Sequence, residues 1–162
     1  MNDAPLGILF SVLAALILLS GFFSSSETGM MSLNRYRLRH LQKNHHRGAR
    51  RAARLLERPD RLIGLILIGN NLVNIFASAI ATVIAIRLWG NAGIFIATIL
   101  LTLVILIFAE ITPKTIAALH PEKIAFPASL ILTTLLKLMF PVVLLFNVVS
   151  NGLLRLVGVV AE

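Results

Sequence analysis

The chain has 162 residues, 57% of them hydrophobic and 14% charged, with a mean hydropathy of +0.89. Soluble domains carry about 25% charged residues, so this composition excludes an ordinary soluble protein and indicates an integral membrane protein. The net charge is +8, and the absence of cysteine excludes disulfides, thiolate metal sites and thiol redox chemistry.

The first apolar stretch, about 5–33, follows Asn2 and Asp3 and runs into Ser24-Ser25-Ser26-Glu27 with no small-residue cleavage pattern. It reads as a retained transmembrane helix, not a cleaved signal. The next segment holds ten of the fifteen lysines and arginines, from Arg35 to Arg61. By the positive-inside rule this loop is cytoplasmic and the N-terminus lies outside. Leu38, Leu41, Ala52, Ala53, Leu55 and Leu56 interleave its charges, as expected for helix on the inner membrane face with anionic lipid contact.

Two further stretches, about 62–88 and 92–119, are long enough to cross roughly 30 Å of hydrocarbon. They join through an outer Trp89-Gly90-Asn91 turn. The last segment, about 124–160, contains Lys137, Pro141, Asn147, Ser150, Asn151 and Arg155. As one helix it would be a fourth span. As two halves hinged at Pro141, each of about 16 residues, it is too short to cross and forms a juxtamembrane pair, the arrangement expected here. The expected fold is thus an all-α integral membrane protein with three transmembrane helices plus a juxtamembrane helix pair.

Three polar clusters interrupt the spans. Gly21-Phe22-Phe23-Ser24-Ser25-Ser26-Glu27-Thr28-Gly29 places a serine run between glycines, which can loosen a helix and free carbonyls where the backbone lines a cavity. The bland alternative is hydroxyls bonding back to the preceding turn and easing helix packing. In Gly69-Asn70-Asn71-Leu72-Val73-Asn74, Asn70 and Asn74 share a face that continues through Ala77, Ala81 and Ala85. Asparagines on such a small-residue stripe could simply hydrogen-bond between helices. In Ala109-Glu110-Ile111-Thr112-Pro113-Lys114, Pro113 cannot donate to the Ala109 carbonyl, releasing an acceptor beside Glu110. Lys114, four residues on, could pair with that carboxylate, although Pro113 is expected to disturb the geometry. Glu27 is a second acidic residue inside an apolar stretch, nearer a helix end.

A carboxylate at membrane depth costs about 2.5–3.5 kcal/mol even on insertion scales, so Glu110 needs a reason to be there. At about 1.5 Å per helical residue, Ser25, Asn70 and Glu110 fall at one level, biased toward the cytoplasm. The donors Ser24, Ser25, Ser26, Asn70, Asn74 and Glu110 are all oxygens, which suits Mg²⁺, Ca²⁺ or Na⁺ better than zinc or copper. His40, His45 and His46 lie in a basic run that would repel a metal cation.

The runs at 22–28, 69–74 and 109–115, in this order and spacing, resemble the transmembrane domain of the CorC/CNNM (cyclin M) magnesium transporters. The resemblance covers essentially the whole chain. It implies a homodimer, a cytoplasmic C-terminus, a location in the cell (inner) membrane, and Mg²⁺ export coupled to Na⁺ influx. It further implies that the serines of 24–26, Asn70 or Asn74, and Glu110 hold the ion, and that nucleotide-binding cytoplasmic CBS domains follow this region. Rocking at Gly21, Gly29, Gly69 and Pro113 would open the site outward. The alternatives are a membrane scaffold whose polar residues only hold helices together, and an intramembrane hydrolase pairing a serine of 24–26 with His120. The latter lacks a Gly-x-Ser-x-Gly elbow, so no enzymatic activity is expected.

Overall fold

The computed structural model describes residues 5–158, and every regular element among them is helical. Helix α1 is Leu6–Met31, α2 Arg35–Lys43, α3 Arg47–Glu57 and α4 Pro59–Trp89. A 3₁₀ turn at Gly90–Ala92 leads to α5, Gly93–Val104, which passes through a π-helical segment, Ile105–Ile111, into α6, Thr112–Leu119. Helix α7 is Pro121–Leu156.

Three stretches are long and apolar enough to cross a membrane: Leu6–Met31, Pro59–Leu119 and Pro121–Leu156. The second is a hairpin. Gly90 turns the chain at φ +68°, a left-handed value that glycine adopts without penalty. Gly93 then lies so close to α4 that an added Cβ would meet the Ala85 carbonyl oxygen at 2.3 Å. The stripe Ala77, Ala81 and Ala85 is buried at such contacts within the chain, so it is consumed internally instead of lying open for a second copy.

The basic segment folds into the α2–α3 hairpin. Asn34 Oδ1 accepts from the Tyr36 and Arg37 amides at 2.9 and 3.2 Å, and His46 Nδ1 accepts from Ala49 N at 3.1 Å, so both helices start on side-chain caps. Leu38, Ala49, Ala52, Leu55 and Leu56 are buried in one core with Met30, Leu62, Ile66, Ala125, Leu132 and Val143. The apolar face expected against lipid is therefore turned inward onto the protein. Burial against side chains rather than acyl tails leaves the hairpin's cations outermost.

The break expected at Pro141 is absent. Helix α7 continues through Pro127 and Pro141, because a proline removes one backbone bond and local packing can hold the helix across it. Its contacts place it across one end of the bundle. Gly29 of α1 packs on Ile124 and Ala125, Gly48 of α3 on Phe126, and Gly64 of α4 on Val143 and Asn147. The Arg61 guanidinium stacks 4.9 Å above the Phe140 ring. About 23 residues of α7 thus run beside the last turn or so of α1 and the first turns of α4.

Large apolar side chains point away from the chain along the spans, among them Leu18, Ile75, Phe95 and Leu138, each about 70% or more exposed. Water would not tolerate such faces; lipid would.

Candidate functional site

The three polar clusters converge where α1 crosses α4 and the π segment. The Phe23 ring sits on Gly69, where a Cβ would meet its Cζ at 2.6 Å. On the neighbouring face, Gly21 lies against Pro113 Cγ, the Phe108 carbonyl oxygen and Ala109 Cα, which a Cβ would meet at 3.3, 3.5 and 3.7 Å. Glycine allows that approach.

Ser20 ties α1 to α4. Its Oγ, in a residue 1% exposed, lies 3.0 Å from Asn70 Oδ1 and 2.6 Å from Asn74 Oδ1. This is the interhelical bonding expected of the structural alternative, and it uses a residue that the sequence reading passed over. The signal was present: Ser20 precedes Ser24 by four residues, and so shares its helix face. Either amide can turn its NH2 toward the hydroxyl, so Ser20 Oγ can donate to one asparagine and accept from the other.

Ser24 is 1% exposed and its Oγ has no hydrogen-bond partner among the described residues. Successive helical residues rotate by about 100°, which puts Ser24 between the directions of Ser20 and Gly21, at the junction of α4 with the π segment. Ser25 donates instead to the Phe22 carbonyl at 3.1 Å. Ser26 is fully buried and equally unpartnered, but lies about 200° around α1 from Ser24, between the faces of Phe23 and Gly29. The structure therefore brings Asn70 and Asn74 together at Ser20, with Ser24 one turn farther along the same face of α1, and turns Ser26 away. Glu27 is half-buried beyond them.

The π segment supplies the third wall. The Thr112 amide donates to Ile107 O, five residues back. That bond takes from Phe108 O its α-helical donor, and Pro113, which would be the π-helical one, has no N–H. Phe108 O is thus also left without a helical donor, beside the Ala109 carbonyl that Pro113 cannot serve. Phe108 O faces Gly21. Glu110 follows two residues later, and its carboxylate pairs with Lys114 Nζ at 3.1 Å. Pro113 does not prevent that pair, an ordinary i,i+4 neighbour relationship.

Glu110, Lys114 and Asn74 line an open cleft of about 660 Å³ together with Ser78, Thr98 and Thr102. Thr98 and Thr102 donate to the carbonyls of Ile94 and Thr98 at 2.9 and 2.6 Å, which leaves their oxygen lone pairs to accept. The cleft therefore carries one carboxylate, paired with the Lys114 ammonium, and a row of neutral oxygens running from Glu110 along the α4–α5 hairpin. The histidines serve elsewhere: His40 contacts Asn44, His45 contacts Arg50, and His46 caps α3 and packs on Phe126. His120 lies beside Ser32 and Asn34, about two turns beyond the serine run.

Residues 11–162 match the family description "Cyclin M transmembrane N-terminal domain". The chain belongs to the cyclin M (CNNM) transmembrane family. It is 55% identical over 158 residues to a "UPF0053 protein" of Haemophilus influenzae, covering 98% of this chain and 38% of that protein. It is 57% identical over 141 residues to the "UPF0053 inner membrane protein YfjD" of Escherichia coli, covering 87% and 33%. A more distant relative, 30% identical over 157 residues and covering 89% and 36%, is the "Polyamine export protein" of Haemophilus influenzae. The chain spans about a third of the length of these curated relatives. This cyclin M domain is a multi-pass membrane protein whose three signature runs meet at one junction.

Proposed function

We propose that this cyclin M domain carries Mg²⁺ out of the cytoplasm, with Na⁺ entering through the same polar groups. The observation that carries the reading is the junction of Ser24, Asn70, Asn74, the Phe108 carbonyl and the Glu110 cleft. Its oxygens are the buried, unpartnered Ser24 hydroxyl, the half-buried amides of Asn70 and Asn74, a backbone carbonyl and one carboxylate. A scaffold needs its buried polar groups paired, because an unpaired hydroxyl costs about 1–3 kcal/mol. Oxygen ligands with one formal charge suit a hard cation, and Mg²⁺ asks for about six of them.

In this reading Ser24 and the asparagines replace water around the ion, Glu110 supplies charge, and the cleft along Asn74, Ser78, Thr102 and Thr98 provides the path outward. The N-terminus lies outside, the α2–α3 hairpin faces the cytoplasm of the cell (inner) membrane, and the domain works as a homodimer. Cytoplasmic CBS domains would regulate it in the longer protein.

The size of the cleft favours a second reading. A volume of about 660 Å³ exceeds what a bare ion needs and would hold an extended organic polycation. A polyamine, however, carries several positive charges, and Glu110 is the single carboxylate among the described lining residues.

The test is thermal stability of the detergent-purified protein against Mg²⁺, Na⁺ or spermidine, for the wild type and Glu110→Ala. A ligand bound only by the folded state stabilises it by RT ln(1 + [L]/Kd). A rise with Mg²⁺ that vanishes in Glu110→Ala is expected. A rise with spermidine alone would favour the polyamine reading, and no rise with any cation would leave the scaffold.

A further inference from the structure

The outer face of the α2–α3 hairpin has a feature that cation transport does not use. Arg39, Gln42 and Lys43 of α2 and Arg50 and Arg54 of α3 line an open groove of about 490 Å³. Four of the five are cationic, and no carboxylate is among the described lining residues. Glu57 belongs to an adjoining hollow that shares Arg39 and Gln42.

These cations do not hold the hairpin together. Its opposite face does, through Leu38, Ala49, Ala52, Leu55 and Leu56, all buried. Other arginines of the segment have protein partners: Arg37 pairs with Glu122, Arg58 with Asp60, and Arg51 donates to Ser129 at 3.3 Å. The groove cations are all exposed. Arg50 and Arg54 stand one turn apart, where like charges repel. The contact of Arg50 is with His45 Nδ1, in the left-handed turn between the helices. A groove so built favours an anion: guanidinium groups fork onto phosphate oxygens, and the Gln42 amide offers a neutral donor.

We propose that this groove binds the phosphate of an anionic membrane lipid. Two observations select the lipid source. The hairpin packs where α1 ends and α4 and α7 begin, which is the level of the lipid phosphates. Tyr36 lies on the groove face of α2, three residues before Arg39 and seven before Lys43, and is 84% exposed. Tyrosine beside cations is the side-chain pairing that settles at the headgroup layer. The inference is independent of which cation crosses the domain.

The experiment is native mass spectrometry of the protein in non-ionic detergent with phosphatidylglycerol or phosphatidylcholine of matched acyl chains. Wild type is compared with Arg50→Gln/Arg54→Gln, with Arg39→Gln/Lys43→Gln, and with a charge-matched control, Arg47→Gln/Lys123→Gln. Helical circular dichroism and the thermal midpoint in neutral detergent confirm folding, and the α2 and α3 variants check each other. Preferential retention of phosphatidylglycerol by wild type and control, lost in both groove variants, is the expected result. Equal retention of the two lipids by wild type, or equal loss of the preference in the control, would overturn the site. Displacement of phosphatidylglycerol by inorganic phosphate at millimolar concentration would overturn the lipid and assign the groove to a soluble phosphate.

Discussion

Glu110 and Lys114 form an ion pair of 3.1 Å across the end of the π segment, at the rim of the cleft that Glu110 shares with Asn74. An unpaired carboxylate at this depth is costly, so Lys114 acts as a tethered cation that neutralises Glu110 when no ion is bound. On the proposed cation reading, an entering ion has to displace it. Lys114→Met is expected to lower the thermal midpoint without cation and to shift the Mg²⁺ titration to lower concentration, whereas Lys114→Arg stays near wild type. An unchanged titration in Lys114→Met would remove the lysine from the site.

Ser20 and Ser24, one turn apart on α1, should behave oppositely. Ser20→Ala breaks the link to Asn70 and Asn74, and interhelical bonds of this kind average about 0.6 kcal/mol with a maximum near 1.7. Denaturation in mixed micelles should register that loss. Ser24→Ala removes a buried hydroxyl that has no partner, so stability without cation should hold or rise while the Mg²⁺ response weakens. Parallel losses in both variants would mean that Ser24 is a packing residue.

Pro113→Ala restores an amide and gives the carbonyls behind it a helical donor. We expect a higher midpoint without cation and a weaker Mg²⁺ response. If both titrations superimpose on wild type, the Phe108 carbonyl contributes nothing to the ion.

Gly69→Ala forces a Cβ into the Phe23 ring, 2.6 Å from Cζ. Overpacking typically costs about 1–3 kcal/mol. Because the obstacle is a side chain, Phe23→Leu in the same protein should recover much of the loss. At Gly93 the obstacle is the Ala85 backbone oxygen, so Gly93→Ala should resist rescue by trimming any side chain. Thermal midpoints of these proteins, with Gly93→Ala/Ala85→Gly added, decide both points.

The helices and their polar runs were legible because membrane spans announce themselves by length and hydropathy, and because Ser24, Asn70 and Glu110 are conspicuous in apolar surroundings. Ser20 was less so, a lone serine outside the triplet, visible only through its four-residue spacing from Ser24. The π segment has no composition of its own; it arises where Pro113 and the close approach of Gly21 jointly reshape α5–α6. The burial of the α2–α3 apolar face was misjudged because an amphipathic helix looks the same whether its partner is lipid or protein. Pro141 misled for a related reason: a proline guarantees a missing bond, while its neighbours decide whether the helix stops.

Helix α7 touches Gly29 at its start and Gly64 some 20 residues later, and so clamps the same ends of α1 and α4 at a fixed spacing. The row of oxygens from Glu110 to Thr98 runs away from that clamp. At their far ends α1 and α4 are held instead by the packing of Leu9 on Ile80 and Ile84. The crossbar thus sets the splay of α1 and α4 at the basic-hairpin end, and the apolar clasp sets it at the other.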